Sequence, residues 1–249
     1  MTKDKVQQLS FFGLKYERFL TDDVNLEKLE KEQRDYSYIA IYSYKKIDLN
    51  NFDLSKIQQT PIINLTQSLE EIFKNFSTLT RRGIRKAEAM PDLKFSIPDA
   101  NVDTSFKFYK EIKIKDGTIP DLKREFQRCV FFNAYFRNKI ISSISFYDNG
   151  SCLRCKHIVS SRKEMGEQSK IAAYAARKLI WEICKYGQNH GYKKIDLGGI
   201  NFDDPIKRGI AEFKGSFGGT IQDVYIYRYE TELFKFLKRM LNYFRMNIH

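Results

Sequence analysis

Lys193-Lys194-Ile195-Asp196-Leu197-Gly198-Gly199-Ile200-Asn201, followed by Gly209-Ile210-Ala211-Glu212-Phe213-Lys214-Gly215-Ser216-Phe217-Gly218-Gly219, decides how the rest of the chain is read. It reads as a strand that stops on a glycine pair, a loop, a short turn, and a glycine-rich entry into another strand. Glycine pairs at strand ends admit positive φ and allow another molecule's backbone or acyl group to come close. The pairs Gly198-Gly199 and Gly218-Gly219, with Lys214 between them, can form the lips of a site. Two tight turns in an α/β protein would leave the same pattern.

On the C-terminal side, Thr220–Tyr229 alternates with Tyr225, Tyr227 and Tyr229 on one face and Val224 and Ile226 on the other, as a strand does. A helix is expected from Glu230 to Asn247, with Leu233, Leu237, Met240, Leu241 and Phe244 as its stripe and Lys235, Lys238, Arg239 and Arg245 beside it. On the N-terminal side lies the longest helical pattern, Ser169 to Tyr186, with Ala172, Ala176, Leu179 and Ile183 on one stripe and Gly187 closing it. Before it come the strand-like runs Val130–Phe136, Ile140–Tyr147 and Cys152–Val159, separated by Arg137-Asn138-Lys139 and Asp148-Asn149-Gly150. Turns this short make antiparallel neighbours, hence a meander.

Further upstream, Pro120 is expected to open a helix running to Arg128, 103–114 to form another, and Leu93–Ile97 a strand. Ser68, with Glu70 and Glu71 behind it, marks a helix start, and the helix continues or restarts after Ser77-Thr78. There Arg81 and Arg85 share a face at i,i+4 spacing, a pattern that can hold a phosphate or be a solvated basic face. Tyr36–Tyr44 reads as a strand, 22–34 as a short helix, and 11–16 as a short strand.

The run Ile195-Asp196-Leu197-Gly198-Gly199-Ile200, with Phe213-Lys214 and Phe217-Gly218-Gly219, resembles the signature of the Fem family of peptidoglycan-bridge aminoacyltransferases, which are built on the GNAT acyltransferase fold. Arg81-x-x-Ile84-Arg85-Lys86-Ala87-Glu88 resembles the helix that precedes the main sheet in that family. The resemblance implies an α+β, GNAT-like architecture: a central mixed, mostly antiparallel sheet flanked by helices. It covers residues 60–230. Residues 1–59 would then be a reduced partner subdomain, and 231–249 an amphipathic C-terminal helix.

The implied activity is transfer of an aminoacyl or acyl group to an amine of a cell-envelope precursor or surface-polysaccharide amino sugar. No permanently bound cofactor is implied; aminoacyl-tRNA or an acyl-CoA serves as co-substrate. The partners would be a nucleotide-sugar or lipid-linked precursor and tRNA. In GNAT enzymes a Gly-rich loop captures the coenzyme A pyrophosphate at a helix N-terminus. The corresponding run here, Lys163-Glu164-Met165-Gly166-Glu167-Gln168, keeps one glycine and adds two glutamates, which oppose a pyrophosphate. That favours aminoacyl-tRNA as donor.

Acyl transfer to an amine needs a neutral amine, a fixed carbonyl and positive charge where the oxyanion develops. In GNAT folds the acyl group sits where parallel strands splay, which falls here at the end of Cys152–Val159 against Ile195–Gly198. Lys214 matches the family lysine and is the expected oxyanion or phosphate contact. Asp196 is a candidate to position the amine or a structural carboxylate capping the next turn. His157, in the strand beside the gap, is a candidate base. Arg154 and Lys156 share a strand face and could reach a nucleotide phosphate. Gly198, Gly199, Asn201, Phe213, Phe217, Gly218 and Gly219 complete the expected substrate-binding set, with Arg81 and Arg85 near the donor; the two phenylalanines could instead pack beneath the loop.

The net charge of +12 suits a polyanionic partner, whether tRNA, a nucleotide-sugar or an anionic membrane. Met1–Lys5 leads into polar residues with no secretory signal pattern, and no apolar run is long enough to span a bilayer, so the expected location is the cytoplasm or the inner face of the membrane. Cys152-x-x-Cys155 is half of a zinc signature without its complement; with Cys129 and Cys184 it reads as reduced thiols, not a metal site. Two other readings stand beside the main one: an acetyl-CoA-dependent sugar N-acetyltransferase, and a non-catalytic basic module that holds RNA or an anionic membrane, the latter through the C-terminal helix.

Overall fold

The structure is a computed structural model that describes residues 7–11, 14–20, 29, 33–126, 129–161, 166 and 169–246. The chain divides into two compact units. One joins the segment up to Gln59 to the segment from Gln222 onward; the other runs from Thr60 to Ile221.

The Thr60–Ile221 unit starts with the last residues of β4 (Asp53–Asn64) and carries every expected site residue. Its helix α1 (Leu69–Asn75) opens on a capping box: Ser68 Oγ accepts from the Glu71 N–H at 3.2 Å, and the Glu71 carboxylate accepts from the Ser68 N–H at 2.9 Å. Helix α2 (Thr78–Glu88) restarts on Ser77, whose Oγ accepts from the Thr80 N–H at 3.2 Å. Next come β5 (Leu93–Asp99), α3 (Val102–Lys115), and the meander β6 (Cys129–Phe136), β7 (Lys139–Asp148) and β8 (Cys152–Ser160). The long helix α4 (Ser169–Asn189), the short strand β9 (Lys194–Asp196) and α5 (Pro205–Gly215) complete it.

Within this unit the strands lie in the order β4-β9-β8-β7-β6-β5. Neighbours are antiparallel except β8 and β9, which run parallel. Side-chain alternation then divides the core. Leu153, Cys155, Ile195 and Leu197 face α1, α2 and α4, where Ile72, Ile84, Leu179, Ile180 and Ile183 are buried. Phe131 and Val159 pack with Tyr109 and Ile112 of α3 and with Phe126. A register shift between Ser145 and Phe146 leaves Lys156 unpaired between Cys155 and His157, a β-bulge in β8. The β8–β9 pairing is brief: Cys152, Leu153 and Arg154 match Lys194, Ile195 and Asp196, then the strands part while β8 continues to Ser160.

In the other unit β1 (Gln7–Phe11) and β2 (Leu14–Leu20) are antiparallel, β2 is parallel to β3 (Tyr38–Ser43), and β3 is antiparallel to β10 (Thr220–Glu230). Tyr227 packs with Ile39 and Ile41, and its hydroxyl accepts from the Ile47 N–H at 2.9 Å. The C-terminal helix α6 (Glu232–Met246) stacks Phe234 on Tyr38 at 5.0 Å.

The structure departs from the sequence reading in six places. The expected 11–16 strand is divided, β1 ending at Phe11 and β2 starting at Leu14. Strand β4 was not expected. The helix from Pro120 is only a 3-10 turn, Lys123–Phe126. The turn before Lys214 is a full helix, α5. Most of β10 belongs with the N-terminal segment because it pairs with β3. In α6, Phe234 and Leu237 are half-buried while Leu233, Phe236 and Met240 are exposed, so the inward stripe is rotated from the one expected. Most of the expected 22–34 helix, and the 163–168 loop apart from Gly166, lie outside the described residues.

Candidate active site

Lys214 lies in the last turn of α5, and its ammonium donates to the Gly199 carbonyl at 2.9 Å. Gly198 adopts φ +74°, and a Cβ there would stand 3.0 Å from the Cys155 carbonyl oxygen and 3.4 Å from Lys214 Nζ. The glycine is therefore required by its conformation and by the closeness of β8 and the amine. Gly198, Gly199, Lys214 and the Cys155 backbone meet where β8 and β9 part. Burial holds the Lys214 pKa below that of an ordinary lysine, opposed in part by nearby Cys155 and Asp196. An ammonium has three N–H donors, so the bond to Gly199 leaves donors for an incoming oxygen.

Asp196 is fully buried on β9. Its carboxylate pairs with Arg154 of β8, accepts from the Thr60 hydroxyl, and accepts from the Gly198 N–H at 2.7 Å. It thus caps the turn into Gly198-Gly199 and joins β4, β8 and β9. Arg154, expected at a nucleotide phosphate, is likewise buried in this pair. Both side chains are committed to holding the backbone that presents Gly198.

His157 and Lys156 converge elsewhere, on Asp121. His157 Nε2 lies 2.8 Å and Lys156 Nζ 2.7 Å from Asp121 Oδ2, and Lys156 also donates to the Tyr147 hydroxyl at 2.9 Å and reaches Glu125 at 3.4 Å. The imidazole packs against Tyr109 and Phe126. Burial pulls the His157 pKa down, against the opposing pull of Asp121, while bonds from His157 and the Lys156 charge carry the Asp121 carboxyl well below its usual range despite burial. Lys156, only 4% exposed in its side chain, is ion-paired in the α3 layer and unavailable to a phosphate.

This cluster has a definite pH signature. A depressed histidine pKa destabilises the fold as pH falls below the ordinary histidine value, and a depressed carboxylate adds a further loss below the ordinary aspartate value. Stability is therefore expected to drop on acidification through pH ~6.5 and again below ~4. Asp121→Asn leaves Lys156 without its main carboxylate and is expected to cost about 3 kcal/mol at neutral pH, by the scale of broken buried pairs. Denaturant melts at several pH values check this; a melt of the variant matching that of the parent at neutral pH would refute it.

The second glycine pair meets the chain's own backbone. At Gly218, with φ +64°, a Cβ would fall 2.0 Å from the Asn75 carbonyl oxygen at the end of α1. At Gly219 a Cβ would lie 2.8 Å from the Ile62 carbonyl oxygen. These glycines pack the β10 entry against α1 and β4, where the sequence reading put a substrate. Phe217 is 1% exposed and packs edge-on against Phe76 and Phe213, so it supports the loop from within the core and has no surface for a ligand.

Phe213 is half-buried and lines a cleft of about 440 Å³ with Leu79, Ile158, Ala176, Arg177 and Ile210. The cleft lies between α2, the end of β8, α4 and α5. The Arg177 guanidinium sits over the Phe213 ring at 5.7 Å. Thr80 Oγ1 and Ser216 Oγ lie 2.7 Å apart, and the Ser77 N–H donates to the Ser216 carbonyl at 2.8 Å, fastening the end of α5 to the start of α2. Arg81 donates to the Lys74 carbonyl at 3.1 Å and so caps α1, while Arg85 is exposed with its guanidinium 6.0 Å from the Phe73 ring. Asn201 is exposed, and its side chain accepts from the Asp203 N–H at 3.0 Å in the loop before α5.

Seven of the expected residues gather in two groups. Lys214, Gly198, Gly199, Asp196 and Arg154 share one locality, and His157 and Lys156 another. Sequence reasoning missed Thr60, Asp121, Glu125 and the cleft residues of α2 and α4. No local pattern marks Asp121, which meets His157 across a separation of 36 residues.

An antiparallel meander, a long helix, and a parallel strand that parts from its neighbour beside a half-buried lysine define a Fem/GNAT-like acyltransferase fold. Among solved structures the chain is similar to FemX, with TM-score 0.62 and 13% identity over 92% of this chain and 84% of that one. It is also similar to the C-terminal domain of a protein assigned as a lysylphosphatidylglycerol synthetase from Agrobacterium fabrum, at TM-score 0.52 and 11% identity over 87% of this chain and 78% of that one. L-PGS from Bacillus licheniformis gives TM-score 0.51 and 11% identity, over 98% of this chain and 86% of that one. No protein-family model and no curated protein matches the sequence. At such identities the likeness is one of fold.

Proposed function

We propose that this chain is an N-acyltransferase that moves an aminoacyl group from aminoacyl-tRNA to an amine of a cell-envelope precursor or surface-polysaccharide amino sugar. The observation that carries the reading is the half-buried Lys214 ammonium beside Gly198-Gly199, where β8 and β9 separate. In this scheme the donor carbonyl lies in the gap and a neutral amine attacks its carbon. A C–N bond forms, and the developing oxyanion accepts a hydrogen bond from Lys214 Nζ. The C–O bond to the tRNA ribose then breaks, the ribose oxygen leaves with a proton, and the nitrogen gives one up to solvent. Lys214 contributes charge where charge develops, the effect with the largest expected share of the rate. Asp196 and Arg154 hold the β9 turn; they act by positioning.

The donor preference is supported by the net charge of +12, which suits a polyphosphate, and the aminoacyl cargo by the likeness to a protein whose name describes a lysyl group on phosphatidylglycerol. The test incubates the full chain with a mixture of radiolabelled aminoacyl-tRNAs, or with labelled acetyl-CoA, and with nucleotide-linked amino sugars and peptidoglycan precursors. Label reaching an amine from charged tRNA, abolished by prior RNase treatment, is the expected result. Transfer from acetyl-CoA alone would overturn the donor, and transfer from neither would overturn the reading.

A further inference from the structure

Away from Lys214, the end of α3 and the loop after it form an apolar tip. Ile114, Ile119 and Leu122 are 57%, 58% and 48% exposed. Lys107 and Lys110 stand at i−7 and i−4 from Ile114 and share its face of the helix. Lys115 and Lys123 are also exposed, and Lys113, half-buried, lies beside them. Carboxylates on the same segment are Glu111, Asp116 and Asp121; Asp121 is engaged by Lys156 and His157, and Asp103 pairs with Lys123 at 2.8 Å. From residue 103 to 125 six cations stand against five carboxylates, of which Asp121 and Glu125 are engaged by Lys156 and Asp103 by Lys123.

The tip is also held in place. The Thr118 N–H and hydroxyl donate to the Lys113 carbonyl at 2.9 and 3.0 Å, the Gly117 N–H to Ile114 at 3.0 Å, and the Asp121 N–H to the Tyr109 hydroxyl at 3.0 Å. Exposed aliphatic side chains on a fixed loop, rimmed by lysines, lose little conformational freedom on insertion.

We propose that this tip docks on the surface of an anionic phospholipid bilayer, with Ile114, Ile119 and Leu122 entering the headgroup–acyl boundary and the lysines meeting lipid phosphates. Charge complementarity selects an anionic surface. The apolar members select lipid over nucleic acid, because single-stranded RNA is held by aromatic side chains on which bases stack, and the exposed large apolar residues here are aliphatic. The inference is independent of the acyltransfer reading.

The experiment is co-sedimentation of the full chain with phosphatidylcholine vesicles, with and without phosphatidylglycerol, over a salt series. Binding is expected only with the anionic lipid and to weaken with salt. The double variant Ile119→Ser, Leu122→Ser should weaken it at least roughly tenfold, from the apolar groups withdrawn. Lys110→Gln and Lys115→Gln should each weaken it about fivefold. These positions are exposed, and thermal melts confirm that the variants fold. Undiminished binding of the double variant overturns the proposal, as does loss of binding on Leu233→Ser, Phe236→Ser instead, which would assign the contact to α6. A change in oligomeric state with Ile119→Ser, Leu122→Ser would assign the tip to a second copy of the chain. Binding to a fluorescent single-stranded RNA with no vesicle binding would assign it to RNA.

Discussion

Lys214→Ala is expected to lower kcat by about 10²–10³-fold while leaving the thermal midpoint nearly unchanged, the usual scale for removing one oxyanion donor. Structurally the change removes the bond to the Gly199 carbonyl, but also relieves a buried ammonium of its desolvation, so stability effects oppose each other. Lys214→Met, which keeps the volume, should lose as much turnover as alanine. The pH profile separates chemistry from packing. The acceptor amine must be neutral, so activity rises with pH; Lys214 must be charged, so activity falls once pH passes its pKa. Burial brings that descent to lower pH than an unperturbed lysine would give. In Lys214→Met the alkaline descent should vanish. Full turnover in either variant would dispose of the mechanism and leave the fold untouched.

Gly218→Ala should be severely damaging for a single methyl. Its Cβ would be forced within 2.0 Å of the Asn75 carbonyl oxygen and 2.7 Å of its carbon, at a φ of +64°. Backbone cannot give way as a side-chain tip can, so α1 or the β10 entry must move. A loss of roughly 4 kcal/mol or more is expected, a large part of what a domain this size has in reserve. Gly150→Ala is the control. It shares the positive φ, at +72°, but meets nothing within 4 Å, so only the left-handed penalty of about 1–2 kcal/mol applies. Equal denaturant midpoints for the two variants would show that the Asn75 contact does not constrain the fold.

The comparison of these glycines shows what could be read from the sequence. Glycine pairs at strand ends announce close approach, and both pairs have it. What approaches is decided by tertiary structure: an amine and the β8 backbone at Gly198, the carbonyls of Asn75 and Ile62 at Gly218 and Gly219. Periodicity carried α3 and α4, and the short turns after Phe136 and Asp148 carried the meander, whose strands are buried on both faces. Strand β4 escaped notice because its first half is exposed and Pro61 interrupts its pattern. The Pro120 segment read as helix because proline suits a helix start, yet its Asp121 is drawn to Lys156 and His157 on β8. Lys214 was legible through its place between glycines. Partners across the sheet, such as Arg154 for Asp196, were not, since an ion pair between strands leaves no spacing in the sequence.

Cys155 lies at the same junction, its carbonyl against Gly198 and its thiol buried. Burial pushes that thiol up to about 12, so at physiological pH it stays protonated and offers no thiolate to capture an acyl group. The junction therefore has no sulfur relay. In the proposed reaction the amine attacks the donor carbonyl directly, so donor and acceptor occupy the protein together, in a ternary complex. Initial-velocity lines at varied donor and acceptor would then intersect instead of running parallel, and no acylated protein would accumulate when the acceptor is withheld.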